Sequence, residues 1–258
     1  MNYETIELNE SDGVVILRMN RPAVMNALNT QMRGELAHAV TLAPKLGRAL
    51  VITGNGGAFC SGQDLGDGVN AAEPDLERTL RDEYFPLMRA MIGLDIPVVA
   101  AVNGAAAGAG ANLALLSDVV IAAESAYFLQ AFSRIGLIPD AGGTWLLPRQ
   151  VGIAKAMGAT LFAERISAKE ACQMGMIWES VPDDEFASRW LSRARHLADG
   201  PTQAYAKIKQ ALRSSYGNGF EEQIAFEAKL QGEAGKTRDF KEGLLAFVEK
   251  RKPEFEGR

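Results

Sequence analysis

Gly54-Asn55-Gly56-Gly57-Ala58-Phe59-Cys60-Ser61-Gly62-Gln63-Asp64-Leu65 comes one residue after the unbroken apolar run Ala49-Leu50-Val51-Ile52. A continuous β-branched and aliphatic run suits a strand buried on both faces, and the small residues after it let a ligand approach the backbone. The same pairing recurs at Pro97–Val102, followed by Asn103-Gly104-Ala105-Ala106-Ala107-Gly108-Ala109-Gly110-Ala111-Asn112, which runs into a helix predicted over 111–117. A third glycine-rich segment is Gly136-Leu137-Ile138-Pro139-Asp140-Ala141-Gly142-Gly143-Thr144-Trp145. Helix N-termini present free N–H groups, so segments of this kind are candidate ligand sites as well as tight turns.

Outward from these segments, further strands are predicted at Val14–Leu17 and Asp118–Ala122. Leu28, Met32, Leu36 and Val40 recur every four residues, and Leu76, Leu80, Leu87, Met88 and Met91 keep helical spacing. The alternation predicts an α/β core. From about Asp183 onward only helical patterns occur, over 186–197, 204–212, 220–230 and 240–250, the first ending near Gly200-Pro201. The chain therefore reads as one compact unit, a core over 1–198 and a helical region over 199–258 that caps the core or builds an oligomer surface.

Composition removes several function classes. Of 258 residues, 47% are hydrophobic and 23% charged, which is ordinary for a globular protein. No run of ~18 uncharged apolar residues predicts a membrane span. The net charge of −5 comes without a basic block, which argues against a nucleic-acid partner. Two cysteines, Cys60 and Cys172, make neither a disulfide scaffold nor a metal cage, and Met1–Glu10 has no apolar core of a secretory signal, so the expected setting is cytoplasmic. The two histidines, His38 and His196, fall on amphipathic helical stretches away from the glycine-rich turns, so acid–base chemistry falls to carboxylates and backbone groups.

Familiar motifs are missing. There is no phosphate-binding Gly-x-x-x-x-Gly-Lys-Ser/Thr and no Gly-x-Gly-x-x-Gly opening a helix. Ser61 lies in Phe-Cys-Ser-Gly-Gln rather than a nucleophile elbow. Cys60, with no histidine in a matching segment, reads as a small core residue.

Taken together, the segments resemble the crotonase superfamily, the enoyl-CoA hydratases and isomerases. The resemblance covers nearly the whole chain: Leu17-Arg18-Met19-Asn20-Arg21-Pro22 with Met25-Asn26-Ala27-Leu28, Ala58 to Leu65, Pro97 to Gly110, Gly136 to Thr144, Arg165-Ile166-Ser167-Ala168 and Ala246 to Arg251. It implies a spiral of ββα turns with a helical C-terminal region that builds trimers, commonly paired into hexamers. It also implies an acyl-CoA thioester as ligand, with coenzyme A entering as part of the substrate and no tightly bound cofactor or metal. Two main-chain N–H groups hold the thioester oxygen in the family, and they map onto Gln63 and Ala109. Such donors stabilise the negative charge of an enolate without a titratable side chain. Glycines 62, 108 and 110 leave room for that approach, and the helix dipole behind Ala109 adds to it.

The family's hydratases use two glutamates, which fall here at Asn112 and near Phe132. Neither residue exchanges a proton at neutral pH. The carboxylate left in the neighbourhood is Asp140, where members that shift double bonds keep an acid; desolvation by its apolar surroundings would raise its pKa. Asp140 also fits a turn residue after proline. Asp64, beside an oxyanion donor, competes as the acid but reads as fixing its own loop. The stretch from Ala131 to Asp140, with Gly143-Thr144-Trp145-Leu146-Leu147-Pro148-Arg149, is most similar to the ring-1,2-epoxyphenylacetyl-CoA isomerase branch of the family. By that resemblance Phe132 and Trp145 either flank an aromatic acyl group or are core aromatics, Ala58 and Ser61 lie beside the adenine pocket, and Asp64, Leu65 and Gly108 join the substrate-binding set. Lys250, with Arg251, matches a basic pair that in the family can reach CoA phosphates, a pair that surface salt bridging explains equally well, while a family lysine after Arg-Pro is Ala23 here. The expectation is an isomerase with Asp140 as base. The alternatives are an enoyl-CoA hydratase and a catalytically silent acyl-CoA-binding oligomer.

Overall fold

The computed structural model describes residues 2–66 and 75–258. It opens on a hairpin: β1 (Ile6–Ser11) reverses through Asp12 and Gly13, both at positive φ, into antiparallel β2 (Val14–Met19). The rest of this sheet is parallel. Its strands β3 (Ala49–Gly54), β5 (Val98–Val102), β7 (Val119–Ala123) and β10 (Glu179–Val181) complete the order β1-β2-β3-β5-β7-β10. Every residue of β3 and β5 is buried, which explains why these sequences do not alternate.

Helix α1 (Thr30–Leu46) starts where the Asn29 side chain accepts the Met32 N–H, and it buries Met32, Leu36 and Val40 against the sheet as their four-residue spacing requires. After each of β3, β5 and β7 the chain drops into a second sheet through a short strand: β4 (Ala58–Cys60), β6 (Ala105–Ala107) and β8 (Tyr127–Leu129). β9 (Ile166–Ser167) pairs antiparallel with β8 at the edge. A helix then returns the chain: α2 (Leu76–Thr79), running through a π-helical turn (Leu80–Tyr84) into α3 (Phe85–Ile92), then α4 (Ala109–Leu115), then α5 (Gly143–Phe162). Three ββα turns thus wind into a spiral, as the resemblance implies.

The short strands lie inside the glycine-rich segments, where local sequence reads as turn; only pairing with one another makes them strands. Helix α4 begins two residues before the start predicted, because Gly108 (φ 52°, ψ −129°) turns the chain straight into it. Helix α5 has no sequence prediction behind it, since its glycines and Pro148 read as breakers; Gly152, at φ 76°, is a non-helical kink within it.

After α6 (Ala168–Gln173) and β10, the chain is helical, as the periodicity predicts: α7 (Asp183–Ala198), α8 (Thr202–Ser214), α9 (Phe220–Ala234) and α10 (Arg238–Glu249). Helix α8 is fixed to the sheet by ionic contacts: Lys209 Nζ donates to the Ile96 carbonyl and pairs with Asp118, and Arg213 pairs with the other Asp118 oxygen, each at 2.7 Å. Arg48, just before β3, donates to the Gly200 and Phe255 carbonyls, so the chain's end is tied to the start of the sheet. No described helix is long and apolar enough to cross a membrane.

Candidate active site

The glycine-rich segments converge at the end of the second sheet. Leu28 donates its N–H to the Gly62 carbonyl (2.8 Å) and accepts from the Asp64 N–H (3.1 Å), an isolated parallel bridge that leaves the N–H of Gln63 directed away from Leu28. Gly62 sits at φ 95°, and a Cβ there would lie 2.8 Å from the Ala107 oxygen and 3.4 Å from the Ala109 nitrogen. Only glycine allows that conformation with that approach. Ala109 is the first residue of α4, where N–H groups lack partners within the helix. Among the described residues neither the Gln63 nor the Ala109 N–H meets an acceptor. The structure thus brings together the two donors expected from the sequence.

Helix α4 can lie so close because residue 110 is glycine: any Cβ would collide with the main chain and side chain of Cys60. Cys60 itself is fully buried and its thiol is pushed up to about 12 by desolvation, so it supplies no thiolate near neutrality.

Asp140 follows Pro139 at a sharp turn in which Ala141 (φ 47°) and Gly142 (φ 83°) are both left-handed. Left-handed geometry at an alanine is strained, and here Asn112 over-determines it. Asn112, fully buried on α4, donates from its amide to the Asp140 carbonyl (2.8 Å) and accepts from Gln130 Nε2 (2.9 Å). Gly143 donates to the same Asp140 carbonyl at 2.8 Å, and no Cβ fits there against the Asn112 amide. The Asp140 carboxyl has one oxygen buried without a partner among the described residues, and desolvation raises its pKa to about 6. Tyr84, whose hydroxyl donates to Gln63 Oε1 at 2.6 Å, is held protonated mainly by burial, with the Asp140 charge adding to the effect. Asp140, Tyr84 and Gln63 therefore share one site.

Phe132 is buried, its ring edge 3.8 Å from where a Cβ on Gly108 would stand, so it covers the turn leading to Ala109. Asp64 pairs with Arg21 at 2.7 Å and accepts from the Gly66 N–H at 3.0 Å; the Arg21 hydrogen bond holds its carboxyl below the usual range. Ala58 is buried in β4, with its carbonyl taken by Asn26 Nδ2 at 2.9 Å. Ser61 donates to the Val24 carbonyl (3.3 Å), and Leu65 projects outward, 70% exposed.

Two residues of the expected set stand apart. Trp145 lies under the Arg149 guanidinium, 4.3 Å from its ring centre. It lines a separate cavity of about 650 Å³ against Leu115, Ile208, Leu212 and Tyr216, which Phe132 does not reach. Lys250 is the exposed left-handed cap of α10, and neighbouring Arg251 is committed to Glu242 and Glu249 at 2.6 Å each. Within this chain nothing described links Lys250 to the Gln63–Ala109–Asp140 group. His38 and His196 are exposed on α1 and α7, outside the site.

The sequence reading missed Arg33, Tyr84 and Gln130. Arg33 belongs to the buried side of α1, Tyr84 closes a helical stretch, and Gln130 precedes a segment whose motif lies further on. None carries a local signal, because each acts on a residue distant in the chain.

Two polarising N–H donors beside a buried acid that titrates near 6 form a site able to stabilise an oxyanion and move a proton. The family model for enoyl-CoA hydratase/isomerase matches residues 9–258, and the chain belongs to that family, with its crotonase fold. Among its relatives is a protein of Rhodobacter capsulatus named "Probable enoyl-CoA hydratase", 59% identical over 100% of both chains. Another is the 1,2-epoxyphenylacetyl-CoA isomerase of Escherichia coli, 45% identical over 95% of this chain and 96% of that one. The crystal structure of enoyl-CoA hydratase from Bacillus anthracis superposes with a TM-score of 0.91 at 30% identity, covering 99% of this chain and 100% of that one.

Proposed function

We propose that the protein is an acyl-CoA isomerase in which Asp140 is the single base and the Gln63 and Ala109 N–H groups form the oxyanion hole. The observation that carries this reading is the Asp140 carboxyl, buried with one oxygen unpartnered among the described residues and its pKa raised to about 6, while the positions that the resemblance assigns to the two hydratase glutamates fall at Asn112 and near Phe132. With a β,γ-unsaturated thioester, the carboxylate takes the α-proton and the electron pair moves onto the thioester oxygen between the two N–H groups. The same acid then returns the proton at the γ-carbon, so the double bond shifts and nothing is consumed. The Phe132 ring over Gly108 supports an aromatic acyl group, and with the Escherichia coli relative it favours the ring-epoxide of phenylacetyl-CoA as substrate.

The second reading is an enoyl-CoA hydratase, favoured by the name of the Rhodobacter relative. The two are separated by assaying wild type and Asp140→Asn against β,γ-enoyl-CoA, crotonyl-CoA and the ring-epoxide thioester. Isomerisation that collapses in Asp140→Asn, with negligible hydration, supports the isomerase; rapid hydration independent of Asp140 overturns it. In the same reading the exposed Phe240, Leu244, Phe247 and Val248 of α10 meet further copies of the chain in a cytoplasmic trimer or hexamer. Light scattering tests that assembly.

A further inference from the structure

We infer that Arg33 and Tyr84 are positioning residues for the oxyanion hole, gripping the Gln63 side chain so that its main-chain N–H is aimed at the substrate oxygen. The inference rests on the reading of Gln63 as an oxyanion donor. Gln63 turns its side chain inward, where Oε1 accepts from both the Tyr84 hydroxyl (2.6 Å) and Arg33 Nη1 (2.9 Å). The same Arg33 nitrogen donates to the Leu28 carbonyl at 2.5 Å, and Leu28 is the main-chain bridge partner of Gln63. One guanidinium thus staples both sides of the bridge that presents the N–H.

The staple is itself held. Arg33 is 2% exposed; Glu83 accepts from its Nε (3.0 Å) and Nη2 (2.5 Å), Thr30 Oγ1 accepts at 3.0 Å, and the guanidinium lies 5.1 Å from the Tyr84 ring centre. Glu83 and Tyr84 lie on the π-helical turn, a distortion that recurs at functional sites. A buried cation is a costly way to fill a core position, and apolar residues of similar volume serve stability at least as well. A buried charge with a defined geometric task is the better account of this arrangement, because an oxyanion donor works only when it is preorganised.

The test compares wild type, Tyr84→Phe, Gln63→Leu and the control Asp140→Asn. It measures kcat and KM for isomerisation and the infrared carbonyl stretch of a bound, ¹³C-labelled acyl-CoA thioester. Wild type and Asp140→Asn are expected to lower the stretch equally, since the control removes the base and keeps the hole. Gln63→Leu is expected to lose most of that shift, with kcat falling about tenfold or more and KM changing less than about threefold. Tyr84→Phe, which deletes one oxygen and leaves Arg33 in place, is expected to lie between. A full carbonyl shift and unchanged kcat in folded Tyr84→Phe and Gln63→Leu overturn the inference. If Gln63→Leu does not fold, Tyr84→Phe alone decides. Absence of any shift in wild type instead overturns the oxyanion reading beneath it.

Discussion

The side-chain amide of Asn112 holds the main-chain oxygen of Asp140 at 2.8 Å. Asn112 lies one turn along the helix that Ala109 begins, so the proposed oxyanion donor and the proposed base are parts of one rigid unit. In the proposed reading a hydratase glutamate position is filled by Asn112, whose side chain acts as a structural strut. Its other end accepts from Gln130, and the residue is fully buried.

That strut predicts the outcome of restoring the glutamate. Asn112→Glu would bury a carboxylate against the Asp140 carbonyl and remove the donor that carbonyl now uses. An uncompensated buried polar group costs about 1–3 kcal/mol, more when charged. The expected result is a destabilised protein with weakened isomerase activity and no gain of crotonyl-CoA hydration. Thermal melts and the two assays check it; efficient hydration would show that the strut is dispensable.

The raised pKa of Asp140 has two consequences of defined sign. As the proposed base it must be ionised, so kcat/KM should rise with pH through about 6 and level off above it. For stability, a folded pKa above the unfolded value means the native state binds more protons between 3.8 and about 6, so this group's contribution falls as pH climbs through that window. Asp140→Asn removes the buried charge and should raise stability above pH 6 by about 3 kcal/mol, or about 6–12 °C in Tm. Below pH 4 the variant and wild type should converge. Paired pH–rate profiles and melts at pH 4 and 8 measure both effects, and a Tm difference unchanged between the two would refute the account.

Gly62 is the position where the loops bearing the two proposed oxyanion donors touch. In Gly62→Ala the new methyl would stand 2.8 Å from the Ala107 oxygen, on a backbone at φ 95° that alanine tolerates poorly. The loops must separate, and the distance between the two donors changes with them. A stability loss of about 1–3 kcal/mol is expected from the strain. Because small displacements of a catalytic array are costly, isomerase kcat should drop by roughly 100-fold. Near-normal turnover in the folded variant would mean that the contact is irrelevant to catalysis.

Lys209 anchors helix α8 through the Ile96 carbonyl and Asp118. Lys209→Met leaves Asp118 with Arg213 and the Val98 N–H, and the Ile96 oxygen with nothing described to replace the ammonium. Removing one partner of a buried pair costs about 3–5 kcal/mol. Proteolysis should then cut first within the C-terminal helices, while the core strands keep their hydrogen-exchange protection; uniform protection throughout would contradict the expected local release.

The amino-acid sequence alone determined the strands at Val14–Leu17, Ala49–Ile52, Pro97–Val102 and Asp118–Ala122, because long apolar runs have one environment that suits them. It determined the C-terminal helices, since a 3.6-residue period survives any tertiary context. Through the resemblance those segments carry, it also pointed to Gln63, Ala109 and Asp140. Other features were decided only in three dimensions. The strands of the second sheet are three residues or fewer and exist only through their neighbours. Trp145 follows Asp140 by only five residues, yet the direction of α5 sends its ring to another cavity. Arg33 and Tyr84 meet Gln63 from 30 and 21 residues away, a closeness created by the winding of the chain. Local chemistry names the groups able to react, whereas their aim comes from packing, and packing belongs to the whole spiral.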